Sequence, residues 1–292
     1  VPIEPTGLIA ELPSLRNREK LVVLRAEMDA LPIQEQTNLP YASVNQGCMH
    51  ACGHDAHMSM GLAVAHWIMD NKEKLSGKIK IIFQPAEEGV RGAAGVAASG
   101  ILDDVDYFLS SHVAMLAKSG ELATNLYGFL CTTKYDVTFH GRASHAGLCP
   151  QEGRNALAAA ANATVQMLGI SRHGSGMTRV NIGQLMAGEG RNVIPSKAVM
   201  KLEVRGETTD INNYMCEQVN NICEGVSKSF TVTYDIAKMG EAMDLHSDRE
   251  LIDILNACGK EVGLKVLDKP LNFGGSEDAT ILARRVQSHG GK

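Results

Sequence analysis

The sequence predicts an α/β protein into which a smaller α+β domain of ferredoxin-like topology is inserted. Three observations predict it. The first third alternates short apolar runs with helical stretches, the middle reads strand, helix, strand, strand, helix, strand, and the two helices after it have no core of their own. Those last helices are therefore expected to return to the first domain. The division read from the sequence is 1–128 with 242–292 for the α/β domain and 129–241 for the insert.

Each element has its own warrant. "KLVVLRAEMD" (20–29), "GKIKIIFQPAEE" (77–88) and "VDYFLSSHV" (105–113) are apolar runs that end in polar or ionisable residues, as buried strands do. "HMSMGLAVAHWIMDNKEKL" (57–75) and "GAAGVAASGIL" (92–102) suit helices packed on a sheet. In the insert, "CTTKYDVTFHG" (131–141) alternates as a half-buried strand. "GRNALAAAANATVQMLGI" (153–170) reads as a helix, "TRVNIGQLMAG" (178–188) and "KAVMKLEVRGE" (197–207) as strands, "DINNYMCEQVNNICEGVSKSF" (210–230) as a helix and "TVTYDIAKMG" (231–240) as the last strand. The closing helices are 248–263 and 276–287. Glu27, Asp29, Glu87, Glu88 and His112 all fall at carboxyl ends of strands, where open α/β sheets bind ligands.

Composition narrows the function. At 292 residues and 44% hydrophobic content the chain can bury two cores. The net charge is −5 and the 28 basic residues form no cluster, which excludes the footprint of a nucleic-acid binder. No apolar run approaches the roughly 18 residues that span a bilayer, and "VPIEPTGLIAELPSLRNREK" lacks a basic-then-apolar signal pattern. Seven dispersed cysteines (48, 52, 131, 149, 216, 223, 258) make no disulfide framework and point to reduced thiols in the cytoplasm. The chain opens just before a strand that needs cover, so the true N-terminus is expected upstream.

"MHACGHDAHM" (49–58) carries the strongest chemical signal. In an extended segment residues two apart share a face, so His50, Cys52 and His54 are expected to point together. Thiolate plus imidazole is a donor set for zinc or another borderline metal. Cys48 and Cys52 do not form the redox C-x-x-C spacing. His57 and His66 are read as helix residues that touch no metal.

"FQPAEEG" places Glu87 and Glu88 directly after an apolar strand. Side chains of adjacent residues diverge, so one carboxylate can bind a metal while the other faces a water and takes its proton. An EE pair alone is usually a solvated turn, and a lone strand-end histidine such as His112 is more often a hydrogen-bonded core residue. Their company with Cys52 and His54 favours a site. Asp29 has two readings as well, a turn cap or a carboxylate that orients a ligand.

Together "RAEMDALPI", "MHACGHDAHM", "FQPAEEG", "SSHV", "GRASHAG", "GRNVIP", "EVRGE" and "GSEDA" resemble, in order and spacing, the dinuclear metallohydrolases that include aminoacylases, hippurate and auxin-conjugate hydrolases and carboxypeptidase G. The resemblance covers essentially the whole chain. It implies a metallopeptidase-type catalytic domain, an inserted lid and dimerisation domain, and two divalent metal ions, zinc or manganese with cobalt as a further option. By motif match Cys52 resembles the bridging ligand, a carboxylate in many relatives, and His54, Glu88 and His112 resemble terminal ligands. Glu87 matches the general base and Asp29 the orienting aspartate. His145 matches an oxyanion-stabilising histidine, while Asn192 and Arg205 match groups that hold the substrate carboxylate.

The implied reaction is hydrolysis of an N-acyl or N-aroyl amino acid, a small-molecule substrate. "RGAAGVAASGILDDVDYF" and "FLCTTKYDVTFHGRASHAG" look most like the branch that acts on p-aminobenzoyl-glutamate. A homodimer through the lid, or a heteromer with a homologous subunit, is the implied assembly. The alternatives are a non-catalytic metal-binding subunit that needs such a partner, and a dipeptidase or deacetylase of the same fold. Glu27 stands where the family usually has aspartate. The family's final ligand histidine, in a segment like "GHHNE", is expected beyond "VQSHGGK", and His289 is not assigned that role.

Overall fold

The computed structural model describes residues 2–3, 6–12, 20–113 and 116–292. The segment 1–20 read for a signal lies partly outside them. The chain forms two compact units, Val1–Phe129 with Leu245–Lys292, and Leu130–Asp244.

The first unit begins with β1 (Pro2–Ile3), β2 (Gly7–Leu12), β3 (Leu21–Glu27), α1 (His54–Asn71), β4 (Lys78–Gln84), α2 (Gly92–Ala98) and β5 (Tyr107–Ser110), then the short β6 (Glu121–Leu122) and β7 (Leu126–Tyr127). Five strands form one mixed sheet in the order β1-β2-β4-β3-β5, with β3 parallel to both β4 and β5. β2 runs antiparallel on β4. The sequence reading assigns no strand there, because six residues with no helix to pair them carry little periodic signal.

Strand alternation sorts the side chains onto two faces. Ala26, Ile81 and Phe83 pack with Ile68 of α1 and partly buried Met58 and Val64. Leu21, Val23 and Ile82 pack on the other face against α2. Arg25 shares parity with Leu21 and Val23, so a guanidinium enters an apolar layer and must find anionic partners there.

The second unit consists of β8 (Cys131–His140), α3 (Ala156–Leu168), β9 (Thr178–Ala187), β10 (Lys197–Gly206), α4 (Thr209–Phe230) and β11 (Thr233–Ala242). Its antiparallel sheet has the order β11-β8-β10-β9, the split βαβ arrangement. Ala156, Ala159, Ala160, Ala163 and Met167 line the buried stripe of α3 at helical spacing, and small side chains bring that helix close to the sheet. Asn155 and Thr208 cap α3 and α4 through side-chain oxygens that accept from Ala158 and Ile211 N–H. The sequence boundary at 241 falls short, because Ala242 still pairs with Thr132 and Asp244 accepts from Thr209.

The chain then completes the first unit with α5 (Arg249–Glu261), β12 (Lys265–Val266), β13 (Leu271–Asn272) and α6 (Ala279–Ser288). β12 and β13 run parallel to β6 and β7. Ala279, Leu282 and Val286 of α6 join the α2 face of the sheet. None of the described helices is long and apolar enough to cross a membrane.

Candidate metal centre

Cys52, His54 and Glu88 each offer a ligand atom within 4.8 Å of the others. The expected alternation does not bring them together. Residue 53 is a glycine at φ +90°, and His54 already opens α1, so a left-handed turn and not an extended strand aims Cys52 and His54 at one point. His50 is absent from that group, since the segment is not extended.

Glu87 and Glu88 sit on a tight loop after β4. Ala86 and Val90 bracket the pair at φ 56° and 53°, a left-handed conformation that costs a β-branched residue most. Gly92 closes the loop: a Cβ there would lie 1.7 Å from the Pro85 carbonyl oxygen. The two carboxylates are thereby held apart, Glu88 with the ligand group and Glu87 with Oε2 3.8 Å from His54 Nε2.

The imidazole orientations follow from their partners. His54 Nδ1–H donates to the Asp29 carbonyl oxygen at 2.9 Å, which leaves Nε2 without a proton in the neutral ring. His112 Nδ1–H donates to the Val113 carbonyl oxygen at 2.5 Å, and its Nε2 lies 3.7 Å from Cys52 Sγ. His112 falls not in the Cys52, His54 and Glu88 group but in a second one with Glu27, His54 and His57, and there Glu27 takes one nitrogen of His57 and the Val113 N–H the other. His57 has no lone pair left for a metal, in agreement with its reading as a helix residue.

Buried polar atoms test whether these residues fit a metal. His54 Nε2 and Glu88 Oε1 are buried with no hydrogen-bond partner, an arrangement that a divalent ion satisfies and a protein otherwise avoids. The donor set therefore fits. Asp29 supports it from behind, with Oδ2 accepting the Glu88 backbone N–H at 2.9 Å and Oδ1 3.4 Å from His54 Nδ1.

Electrostatics set the protons. Burial, then the Glu88 and Glu87 charges, push the Cys52 thiol up to about 11. Burial disfavours a charged His54, but its bonds to Asp29 outweigh that and lift it to about 9. Burial, then the like charges of Glu277 and Asp278, raise Glu87 to about 8, against the pull of Arg25 and His54. A carboxylate with that proton affinity is suited to take and return a proton near neutral pH.

The sequence reading gives no role to Arg25, Glu277 or Asp278. Arg25 Nε donates to Gln84 Oε1 at 2.9 Å, and its terminal nitrogens meet Glu27, Glu277 and Asp278. A lone arginine inside "LVVLRAE" is the available signal, because a buried guanidinium demands carboxylates. The stretch "GSEDA" supplies two of them.

His145, Asn192 and Arg205 belong to the second unit. Ala146 N–H donates to the Asn192 carbonyl oxygen at 2.9 Å, which joins the loops that carry His145 and Asn192. His145 Nδ1 accepts from Gly147 and Leu148 N–H, so its Nε2 carries the proton and is a donor. Arg205 lies on β10 with Nε 3.0 Å from Glu203 Oε1. His289 packs at the end of α6 against the Arg285 carbonyl oxygen. A cleft of about 440 Å³ is lined by Asp29, Glu88 and Arg91 but not by Cys52, His54 or His112, so it adjoins the cluster without containing it.

Soft and hard donors gathered near the carboxyl ends of the parallel strands β3, β4 and β5, with a buried carboxylate beside them, make an arrangement of the kind that metal-assisted hydrolysis uses. The chain belongs to peptidase family M20/M25/M40, whose model matches residues 23–290. It is 52% identical over 281 residues to a Haemophilus influenzae homolog of one subunit of p-aminobenzoyl-glutamate hydrolase, covering 94% of this chain and 66% of that one. A crystal structure of an aminobenzoyl-glutamate utilization protein from Klebsiella pneumoniae is similar at a TM-score of 0.85 and 37% identity, over 98% of this chain and 67% of that one. A dinuclear metal binding peptidase of Bacillus subtilis is similar at a TM-score of 0.70 and 26% identity, over 96% of this chain and 73% of that one. The chain thus spans about two thirds of the length of the first of these relatives.

Proposed function

We propose that the protein is a metal-dependent amidohydrolase that cleaves an N-acyl or N-aroyl amino acid, with p-aminobenzoyl-glutamate as its leading substrate. The observation that carries this is Glu87, a buried carboxylate of raised proton affinity set beside unpaired ligand atoms of His54 and Glu88. A pure binding module has no use for such a base. Cys52, His54, Glu88 and His112 would hold the divalent ions, zinc, manganese or cobalt. Bound there, divalent ions would supply Lewis-acid polarisation of an amide carbonyl and lower the pKa of a nearby water.

The chain's own residues do the rest. Glu87 takes a proton from the attacking water and returns it to the leaving amine. Asp29 fixes the direction of His54 and of the Glu88 backbone. The roles of His145 as oxyanion donor and of Asn192 and Arg205 as carboxylate holders rest on motif resemblance, and the free Nε2–H of His145 supports the first. On the same resemblance the second unit serves as lid and dimerisation domain. Seven free cysteines support a cytoplasmic setting.

A second reading is a protein that acts only with a homologous partner, favoured by the name of the Haemophilus relative, which describes one subunit of its hydrolase. The complete protein, stripped of metal and resupplied with manganese or zinc, is expected to release glutamate from p-aminobenzoyl-glutamate. Glu87→Gln is expected to lower turnover at least about 100-fold without loss of metal. No release by the metal-loaded protein alone, with release on adding its partner, establishes the second reading.

A further inference from the structure

Behind the proposed ligands runs a buried polar chain that the mechanism does not use. The Arg25 guanidinium pairs with Glu27, whose Oε2 lies 2.7 Å from His57 Nδ1. Arg25, Glu27 and His57 are 4%, 0% and 2% exposed, so each is committed to these partners and not to water. The other nitrogen, His57 Nε2, accepts the backbone N–H of Val113 at 2.8 Å. A nitrogen that accepts an N–H has no proton of its own, so His57 holds its proton on Nδ1 and donates it to Glu27.

The consequence falls on His112. Its ring meets that of His57 edge-on with centroids 4.6 Å apart, and its Nε2 faces Cys52. Val113 is also seated against the start of α1, where a Cβ on Gly53 would lie 2.3 Å from Val113 Cγ2. His112 and Val113 are exposed, and these contacts tie them to α1.

We propose that the Glu27–His57 pair is the positioning device for His112: it locks His57 as an acceptor for the Val113 N–H and so aims His112 Nε2 at Cys52. The longer arm of Glu27 reaches the imidazole directly. His57 is a positioning residue, not a ligand, and the inference rests on reading His112 as a ligand.

The test compares variants of the complete, metal-stripped protein by calorimetric titration with zinc or manganese, with circular dichroism as the check on folding. His57→Phe keeps the ring and removes both polar contacts, and is expected to weaken metal binding roughly ten- to a hundredfold. His57→Gln can donate to Glu27 and accept from Val113 at once, and is expected to restore most of the loss. His112→Ala separates the two claims. Metal bound normally by His112→Ala overturns the ligand reading and this inference with it. Metal lost by His112→Ala but retained by a folded His57→Phe overturns the inference alone, as does His57→Gln binding no better than His57→Phe.

Should His57→Phe not fold, the unaltered protein still decides. Nitrogen-15 spectra of labelled histidines are expected to show His57 in the Nδ1–H form. An Nε2–H form cannot accept from Val113 and overturns the proposal.

Discussion

The Asp29 carboxylate accepts the Glu88 backbone N–H at 2.9 Å, while the carbonyl of the same residue accepts His54 Nδ1–H at 2.9 Å. One residue at the end of β3 thus orients two proposed ligands from different elements. Asp29→Ala removes the first contact and the charge beside His54. Metal affinity is expected to drop roughly ten- to a hundredfold with helix content unchanged. A variant that binds metal as tightly as the parent would remove Asp29 from the orienting role.

Cys52 predicts a spectroscopic signature. A thiolate bound to cobalt gives a near-ultraviolet charge-transfer band that oxygen and nitrogen ligands do not. Cobalt-loaded protein is expected to show it, and Cys52→Asp to lose it while still binding two ions. Because carboxylate is a harder donor, that variant should also shift preference from zinc toward manganese. A band that survives in Cys52→Asp would mean another cysteine supplies the sulfur.

Much of this arrangement is legible in the sequence, and the misses have physical causes. Apolar runs ending in charge locate β3, β4 and β5 with their terminal Asp29, Glu87 and His112, because burial on both faces forces such runs. Helical spacing in "ALAAAANATVQML" locates α3 in the same way, through its buried stripe. Strand alternation predicts the approach of Cys52 to His54 for the wrong reason: it comes from a left-handed glycine, which no periodicity reports. Arg25 and Asp278 meet across 253 positions of sequence, and nothing local announces such a pair.

The loop that carries Glu87 and Glu88 predicts opposite effects for two small changes. A methyl on Gly92 would meet the Pro85 backbone oxygen, with no flexible atom to yield, so Gly92→Ala is expected to cost roughly 2 kcal/mol or more. Ala86→Gly removes the Cβ from a left-handed residue and is expected to be neutral or to stabilise by up to about 1 kcal/mol. Urea midpoints of the two variants check this. Destabilisation by Ala86→Gly would show that the loop's conformation is not strained.

The last prediction concerns acid and Glu27. Burial opposes its charge, but the hydrogen bond from His57 and the Arg25 guanidinium outweigh burial and hold the carboxyl below its usual range. A carboxyl depressed on folding adds stability that is fully present above its unfolded pKa, near about 4.3, and lost as pH falls through the lower folded value. Glu27→Gln has no such proton to take up, and it leaves the buried Arg25 with one charge partner fewer. At neutral pH the variant is expected to be less stable by roughly 3 to 5 kcal/mol. Below about pH 4 the parent loses that advantage and the gap should narrow. Urea titrations of both proteins at about pH 7, 5 and 3.5, in chelator, measure the gap. A difference that stays constant across that range would mean the Glu27 carboxyl is not depressed and that Arg25 draws its compensation from Glu277 and Asp278 instead.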